Sequence, residues 1–465
     1  MTQTPPDAAT DASTEEPATP DFTALGKVAS AALSVGALGC VGVFVLALTR
    51  ASSSLGVDQI ITFYVMPLAL AGAFVAATRL APTRRISIVL LLVASGVGLV
   101  LAEGVLLVAS QNARDLNRPG GDTPSIAETV QAARARGESL YPTVPGNILV
   151  NEDATIRVGD RDMHPITPAP GGRRAVLCDE YTEPLIYIGD RHGFNNPDDA
   201  WDQEDLELAL VGDSYTHGVC VPPGQQLADV LRNDVPLLNL GVRGAGPYIE
   251  LGLIREFASQ VAPPEVMWIY YEGNDRYDVV YESQRPWLTE YLDPSHVQGL
   301  FDHPEEVADG YAQWVDDVLD RGPLGGGVPR LGAMSVLTAA PRLASLRAVL
   351  GFGVAVPTRA SRIGDFPEVF AQAAADVRSW GGRLTLVYMP SYERYRVLVG
   401  AGAPGKDEIL AAAEAVDVDV IDLDAVFTSG GNPKDFWAHP RGHLNAEGYR
   451  VTAEEIRMYL EANDR

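Results

Sequence analysis

The sequence is poor in basic residues and in cysteine. It has 35 Lys and Arg against 61 Asp and Glu, a net charge of −26, and three cysteines. This charge argues against nucleic acid as a partner, because a nucleic-acid-binding face needs a cluster of basic side chains. The chain also lacks a Walker-type Gly-Lys-Ser/Thr, a dinucleotide-binding glycine fingerprint and a Cys-x-x-Cys pair. We therefore predict no cofactor.

Candidate metal ligands are also scarce. His439 and His443 have the i, i+4 spacing of a helical metal pair, but Pro440 and Gly442 lie between them. Proline removes a helical hydrogen bond and glycine is a poor helix former, so the two histidines are not expected to share a helix face. We therefore predict no bound metal.

Three long apolar runs lie near the N-terminus. Residues 28–49 and 60–78 carry no charge, and residues 86–110 contain only Glu103. Each run is close to the roughly 20 residues that span a bilayer as a helix. A buried soluble core is the alternative, but three such runs joined by short loops favour three transmembrane helices within residues 23–110.

Basic residues predict how these helices are oriented. The loop between the second and third runs holds Arg79, Arg84 and Arg85, which places it in the cytoplasm. The N-terminal tail, residues 1–22, then lies in the cytoplasm, and its Thr-, Ala-, Pro- and acid-rich composition predicts disorder. Everything after Ser110 is predicted to lie outside, so the protein is expected to be a multi-pass protein of the cytoplasmic membrane.

The remaining chain alternates between strand and helix patterns. Predicted strands are 206–212, 236–240, 266–271, 383–389 and 418–423. Predicted helices lie near 225–232, 248–260, 366–380, 406–415 and 445–462. This alternation predicts an α/β fold with a parallel sheet covered on both faces.

The same pattern suggests how the chain divides. Residues 111–205 are predicted to be a linker and lead-in segment, and 206–465 the main domain. Residues 276–362 interrupt the alternation as an insertion. Three roles are open for these residues: a lid or acceptor surface at the strand ends, a packed side layer, or a membrane contact.

A serine follows the first predicted strand. In the run Gly-Asp-Ser-Tyr-Thr-His-Gly at 212–218, Ser214 stands where a buried strand ends and a tight turn begins. Its hydroxyl is expected to face solvent beside backbone N–H groups, as a nucleophile next to an oxyanion hole requires. A strand-to-helix turn with a capping serine would give the same run.

Three further blocks follow in order. A glycine-rich run at 241–247 follows the second strand, Glu-Gly-Asn-Asp at 272–275 follows the third, and Gly-His-Leu-Asn at 442–445 precedes the last helix. In this order and context the blocks resemble those of the SGNH hydrolases, also called the GDSL esterase/lipase family, in a membrane-anchored bacterial form. The resemblance covers roughly residue 206 to the C-terminus. It implies a three-layer, doubly wound parallel sheet of the flavodoxin-like SGNH type.

The resemblance also implies a role for each residue. Ser214 is the nucleophile and His443 its base, while the N–H groups of Ser214 and Gly244 and the amide of Asn274 form the oxyanion hole. The residue types suit this chemistry, since glycine permits close approach, a neutral amide donates, and an imidazole takes a proton near neutral pH. The nucleophile elbow of α/β-hydrolases is excluded, because Thr216 stands where that motif has glycine.

One position departs from the family pattern. The family places an aspartate two or three residues before the histidine, where this chain has Arg441 and Pro440. Asp435 could orient His443 instead, or a backbone carbonyl could leave a Ser–His dyad. His439 is the rival base. His443 is preferred because Leu-Asn-x-x-Gly follows it in the family manner.

Two other features lie outside the membrane region. Cys178 and Cys220 either form a disulfide bond or remain two buried thiols, whereas Cys40 lies in the first predicted span. The run Asp-Arg-His-Gly-Phe-Asn-Asn-Pro at 190–197 resembles a lead-in found before the serine block in some membrane-attached members of the family. An ordinary turn is the alternative for that run.

The expected function is that of an extracytoplasmic serine esterase or O-acyltransferase that forms an acyl-enzyme. By its resemblance to family members with this placement, the expected substrate is O-acetylated envelope glycan. The expected partners are the membrane, an ester or glycan substrate, and a polysaccharide-assembly or acyl-donor protein in the membrane. The alternatives are a catalytically weak or inactive SGNH-fold protein that binds glycan or assists its assembly, and a lipase.

Overall fold

The computed structural model describes residues 22–49, 60–116, 126–178, 184–321, 363–395, 405–438 and 442–463. The chain divides into two compact units, Met1–Leu101 and Ala102–Arg465. Several predictions fall outside the described residues. They concern the tail before Phe22, the later half of the insertion at 322–362, and the segment 439–441 with the rival base His439.

The first unit is helical. Helix α1 is Thr23–Thr49, a π-helical turn at Ile61–Val65 leads into α2 at Met66–Ala77, and α3 runs from Pro82 to Leu116. Helix α1, with 27 residues, and the stretch Pro82–Val105, with 24, are long and apolar enough to cross a membrane. The middle run, Ile61–Ala77, is apolar but shorter. Among the described residues, two of the three predicted spans thus have the length of a membrane helix.

The described residues of the second unit contain ten strands. They are β1 Tyr141–Pro142, β2 Ile156–Val158, β3 Arg161–Met163, β4 Arg174–Cys178, β5 Leu185–Ile188, β6 Leu208–Gly212, β7 Leu237–Gly241, β8 Glu265–Tyr271, β9 Arg383–Met389 and β10 Asp419–Asp422. The last five form one sheet in the order β10-β9-β8-β6-β7, and all neighbours are parallel. In chain order this is 2-1-3-4-5, the order of flavodoxin-like folds. The predicted α/β class with a parallel sheet is confirmed.

Helices connect and flank these strands. They are α4 Ile126–Ala135, α5 Gly146–Asn151, α6 Ser214–His217, α7 Leu227–Leu231, α8 Pro247–Leu253, α9 Ser259–Val261, α10 Asp275–Glu282, α11 Pro286–Thr289, α12 Pro304–Arg321, α13 Phe366–Ser379, α14 Lys406–Ala415, α15 Leu423–Ser429 and α16 Ala446–Asn463. A π-helical turn at Ile254–Ala258 joins α8 to α9. Helices α10 to α12 occupy the first half of the predicted insertion.

The sheet separates two hydrophobic clusters. Val266 and Trp268 of β8 enter one cluster with Phe370 of α13, whereas Met267 and Ile269 enter the other, which also receives α7 and α16. Successive side chains of a strand point to opposite faces, so a strand that is apolar at every position is buried on both faces. Each large side chain buried in this way contributes about 1.5–3 kcal/mol.

The lead-in segment packs into the same core as the sheet. It forms a three-stranded sheet in the order β1-β4-β5 and a hairpin of β2 with β3. Its buried residues Val144, Leu149, Met163 and Phe194 belong to the cluster that contains Trp268. The segment before residue 206 is therefore part of the folded body that carries the sheet.

A disulfide bond crosses this body. Cys178, at the end of β4, is bonded to Cys220, shortly after α6; their Cα atoms are 5.1 Å apart and the two residues are 42 positions apart in sequence. The bond ties the lead-in segment to the turn that follows Ser214. Cys40 is a free thiol in α1.

We expect the substitution Cys178→Ser to lower the free energy of unfolding by about 2–5 kcal/mol, because the bond closes a long loop of the unfolded chain. The measurement is thermal unfolding of the full-length protein in detergent, with Cys40→Ser as the control that should leave the transition unchanged. Labelling of both Cys178 and Cys220 by maleimide in the unreduced protein would contradict the prediction.

Candidate active site

The four predicted motif blocks meet at one cavity. Its volume is about 310 Å³. The cavity is lined by Pro145, Asn147, Asp213, Ser214, Tyr215, Arg243, Gly244, Tyr271, Asn274, Gly442 and His443. The structure thus brings together the predicted nucleophile, base and oxyanion-hole residues, which are up to 229 positions apart in the sequence.

Parallel strand ends explain this convergence. Gly212 at the end of β6 is in register with Gly241 at the end of β7 and with Ile269 of β8. The residues that follow each strand therefore leave the sheet at one edge. Ser214 follows β6, Gly244 follows β7 and Asn274 follows β8. In open α/β sheets, ligands bind at this carboxyl edge.

The turn that carries Ser214 is tightly packed. The Asp213 carboxylate accepts a hydrogen bond from the Tyr215 N–H at 2.9 Å, which caps the short helix α6. A Cβ on Gly212 would lie 2.3 Å from Thr216 Oγ1, and a Cβ on Gly241 would lie 2.2 Å from the His217 nitrogen. Glycine at both positions lets α6 start directly above the strand ends.

Ser214 is 9% exposed and its hydroxyl donates to Asp213 Oδ2 at 3.3 Å. This distance lies beyond the usual range for a bond between oxygens, so the hydroxyl is weakly held. Burial raises the pKa of the Asp213 carboxyl well above its usual range. The Ser214 N–H is at the first position of α6, where helical N–H groups have no partner within the helix.

His443 is positioned by backbone pairing and by Tyr215, the residue that follows Ser214. Trp437 and Leu444 form an antiparallel bridge on one side of it, and its carbonyl accepts from the Ala438 N–H at 3.0 Å. Tyr215 packs its ring 5.1 Å from the His443 ring, and its hydroxyl donates to the Gly442 carbonyl at 3.2 Å. Sequence analysis missed Tyr215, whose adjacency to Ser214 was the available signal.

Hydrogen bonds also hold Asp435 and the residues around it. Its carboxylate is exposed and accepts from Asn432 Nδ2 at 3.0 Å, while its backbone carbonyl accepts from Asn445 Nδ2 at 2.7 Å. Asn445 Oδ1 in turn accepts from the Gly448 N–H at 2.9 Å at the start of α16. A role for Asp435 in orienting His443 stays a prediction.

A carboxylate that sequence analysis did not identify holds Asn274. Asn274 Nδ2 donates to Asp278 Oδ2 at 2.7 Å, one helical turn further along the chain. Because one amide hydrogen is committed to Asp278, the amide plane of Asn274 is fixed. Burial raises the pKa of Asp278 to about 6.

Two more buried carboxyl groups fix the backbone around the cavity. Glu282 accepts from the Gly246 and Tyr248 N–H groups at 2.8 and 2.9 Å, at the start of α8. Asp275 accepts from the Tyr271 N–H at 2.7 Å at the end of β8. Burial raises the pKa of Glu282 to about 8 and that of Asp275 well above its usual range. These groups anchor the segments that carry Gly244 and Asn274.

The lead-in run at 190–197 supports the same region. The buried Asp190 carboxylate accepts hydrogen bonds from the N–H groups of His192, Gly193 and Phe194 and from the side chains of Asn196 and Trp201, at 2.7–3.0 Å. Burial raises the pKa of Asp190 to about 6, although these hydrogen bonds act in the opposite direction. Asn196 also pairs with the backbone of Asn239 in β7. The run is therefore a turn that braces the strand before Gly244.

Among the described residues, no group of three or more His, Cys, Asp or Glu side chains is arranged to hold a metal ion. His439 lies outside those residues, so the candidate pair His439–His443 is not described.

Comparison with known proteins gives limited similarity. No family model matches the chain, and no curated protein sequence matches it. The solved structures that are similar to part of this chain include the following two. A member of the lipolytic protein G-D-S-L family from Veillonella parvula DSM 2008 has 16% identity and a TM-score of 0.31, over 56% of this chain and 99% of the other. A lipase/acylhydrolase from Enterococcus faecalis has 14% identity and a TM-score of 0.31, over 55% and 96%. Neither similarity establishes a family for this chain.

Asp278 should act as a positioning residue for Asn274. We expect Asp278→Ala to lower kcat for an activated acetyl ester by roughly 10- to 100-fold with little change in KM, because a misplaced oxyanion donor affects the transition state more than substrate binding. Asp278→Asn keeps an acceptor oxygen and should restore part of the rate.

The matched control is Gln284→Ala, just beyond the same helix, which should leave kcat unchanged. A fall in thermal stability with kcat unaltered in Asp278→Ala would show that Asp278 is only structural.

Proposed function

We propose that this chain is a membrane-anchored serine esterase or O-acyltransferase of the SGNH type, with a three-layer, doubly wound flavodoxin-like domain. The observation that carries the proposal is the meeting of Ser214, Gly244, Asn274 and His443 at one cavity at the carboxyl edge of a parallel sheet. The four side chains and backbone groups supply a nucleophile, a base and oxyanion donors.

The proposed reaction proceeds through an acyl-enzyme. Ser214 Oγ attacks the acyl carbon while His443 accepts the hydroxyl proton, and the N–H groups of Ser214 and Gly244 with the Asn274 amide stabilise the oxyanion. Collapse expels the alcohol, which takes the proton from His443. The acyl carbon is then attacked by water in an esterase, or by a sugar hydroxyl in a transferase, while His443 removes the proton from the attacking oxygen. Collapse breaks the bond to Ser214 Oγ, which takes this proton back from His443.

Two features support a location at the outer face of the cytoplasmic membrane. Apolar side chains of α1 and α3 are exposed, with Leu38 at 71% and Leu91 at 67%, which is costly in water but not in lipid. The disulfide between Cys178 and Cys220 fits an oxidising compartment. The proposal includes three spans, with the shorter Ile61–Ala77 as the second, and a cytoplasmic N-terminus.

The proposed substrate is an O-acetylated envelope glycan, with a polysaccharide-assembly or acyl-donor protein as membrane partner. The sequence has no acid at the family position before His443. This absence supports a second function, in which the protein is catalytically weak and binds glycan during assembly. A lipase is the third. Turnover measurements separate these functions.

We expect the full-length protein to release acetate from p-nitrophenyl acetate, and Ser214→Ala and His443→Ala to lose nearly all of this turnover, because nucleophile and base act as one unit. An organophosphonate should label Ser214 alone. When an acceptor oligosaccharide is added, free acetate as the product indicates an esterase, and an acetylated sugar indicates a transferase. Asp435→Asn should cost on the order of 1000-fold or more if Asp435 completes a triad.

Ser379→Ala, on the exposed end of α13, is the matched control. This variant should keep full activity and should still be labelled at Ser214. Full activity in Ser214→Ala, or labelling at another residue, would refute the proposed mechanism. An unlabelled, inactive wild-type protein that still binds glycan would support the assembly function.

The topology gives a separate prediction. Protease added to intact spheroplasts should degrade the chain after residue 116 and leave α1 and α3 protected, because the arginines at 79, 84 and 85 keep their loop inside. Complete protection of the second unit until the membrane is permeabilised would reverse the orientation.

A further inference from the structure

Arg243 lies beside the predicted oxyanion hole and lines the cavity with Ser214. Its backbone is firmly placed, since its carbonyl accepts from the Gly146 N–H at 2.8 Å and the next carbonyl, of Gly244, accepts from the Asn147 N–H at 2.9 Å. The start of α5 and the loop after β7 are thus joined at this point. The Arg243 side chain therefore leaves from a fixed position on the cavity wall.

The guanidinium of Arg243 is uncommitted. Within the described ranges from 126 to 463, it makes no hydrogen bond, ion pair or ring contact with the protein. Several other arginines of the same unit pair with acids, such as Arg191 with Asp198, Arg255 with Asp376 and Arg394 with Glu272. Arg243 is half-buried and has no acidic partner among the described residues.

The titratable groups near Arg243 do not neutralise it. His217 is fully buried; burial, together with the nearby charges of Arg243 and His443, lowers its pKa to about 3, and it is therefore uncharged at neutral pH. The Asp213 carboxylate in the cavity is engaged by the Tyr215 N–H and the Ser214 hydroxyl. The positive charge of Arg243 therefore remains for a ligand.

The chemistry of this group defines what it would bind. A guanidinium presents N–H donors in a planar fork that matches a carboxylate, and such charge-assisted pairs are about twice as strong as neutral hydrogen bonds. Asn147, an exposed amide on the same wall, offers a further donor and acceptor for a carboxylate or a sugar hydroxyl. The net charge of −26 repels anions at long range, so attraction has to come from a local cation.

We propose that Arg243 binds a carboxylate of the substrate and makes the enzyme selective for esters that carry one near the scissile bond, such as acetylated acidic sugars. This proposal rests on the proposed function, because it assigns a substrate class to the same cavity. The carboxylate belongs either to the sugar or to the acyl chain, and both positions offer the same chemistry to the guanidinium.

The alternative role for Arg243 is to stabilise the oxyanion. That role would act on every ester, whereas carboxylate binding acts only on charged ones. The two roles therefore differ in how a substitution affects matched pairs of charged and neutral substrates.

The test uses the full-length protein in detergent and two substrate pairs. The sugar pair is acetylated methyl glucuronoside and acetylated methyl glucoside, and the acyl pair is mono-p-nitrophenyl succinate and p-nitrophenyl butyrate. We expect Arg243→Gln to lower the charged-to-neutral ratio of kcat/KM by roughly 10- to 100-fold in one pair, mainly through KM. The pair that responds identifies where the carboxylate lies.

Arg243→Lys should keep part of the selectivity, and the control Arg157→Gln, an exposed arginine, should keep all of it.

Loss of the same factor from both members of each pair would assign Arg243 to the oxyanion, and unchanged kcat/KM values for all four esters would remove it from substrate recognition. Either result overturns the proposal. Binding of the acetylated glucuronoside to Ser214→Ala, compared with Ser214→Ala/Arg243→Gln by calorimetry, gives a readout that needs no turnover. A wild-type protein that hydrolyses none of the four esters but shows this Arg243-dependent binding would refute the proposed catalysis and support the carboxylate site.

Discussion

The in-register ending of three parallel strands is the constraint on which the rest of the site depends. Because β6, β7 and β8 stop at one edge, the segments after them must leave the sheet together, and each delivers one functional group within a few residues. The close approach of α6 to the end of β7 is possible because Gly241 has no side chain. A larger residue there would push Ser214 away from the loop that carries Gly244.

Buried carboxyl groups turn this convergence into a fixed geometry. Asp190, Asp275 and Glu282 each accept backbone N–H groups of a segment that leads into the cavity, and Asp278 holds the Asn274 amide. Such groups are costly to bury unless their hydrogen bonds are satisfied, so the donors and the carboxyls constrain each other. Rigid placement of donors is what oxyanion stabilisation requires, because donors that must reorganise during the reaction stabilise less.

The sequence allowed the α/β class and the positions of the five sheet strands to be predicted, because fully buried parallel strands read as continuous apolar runs bounded by glycine. Short motifs after strand ends and before the last helix singled out Ser214, Gly244, Asn274 and His443, which the fold brings to one cavity. The contacts of Tyr215 and Asp278 and the place of Arg243 on the cavity wall could not be predicted, since they depend on which side chains the fold brings together. Helix 248–260 was predicted as one element, whereas a π-helical turn divides it. The middle apolar run of the sequence, residues 60–78, is already the shortest of the three, and the helical segment Ile61–Ala77 within it is shorter still.

The position of the three cysteines has a consequence for how the protein matures. Cys40 lies in the apolar helix α1, so the body that contains the sheet has two cysteines, and two cysteines allow a single pairing. Oxidation alone then gives the native connectivity, without the reshuffling that chains with several pairings need from an isomerase. Export into a compartment that has an oxidase but little isomerase activity would suffice for this protein to reach its native covalent state.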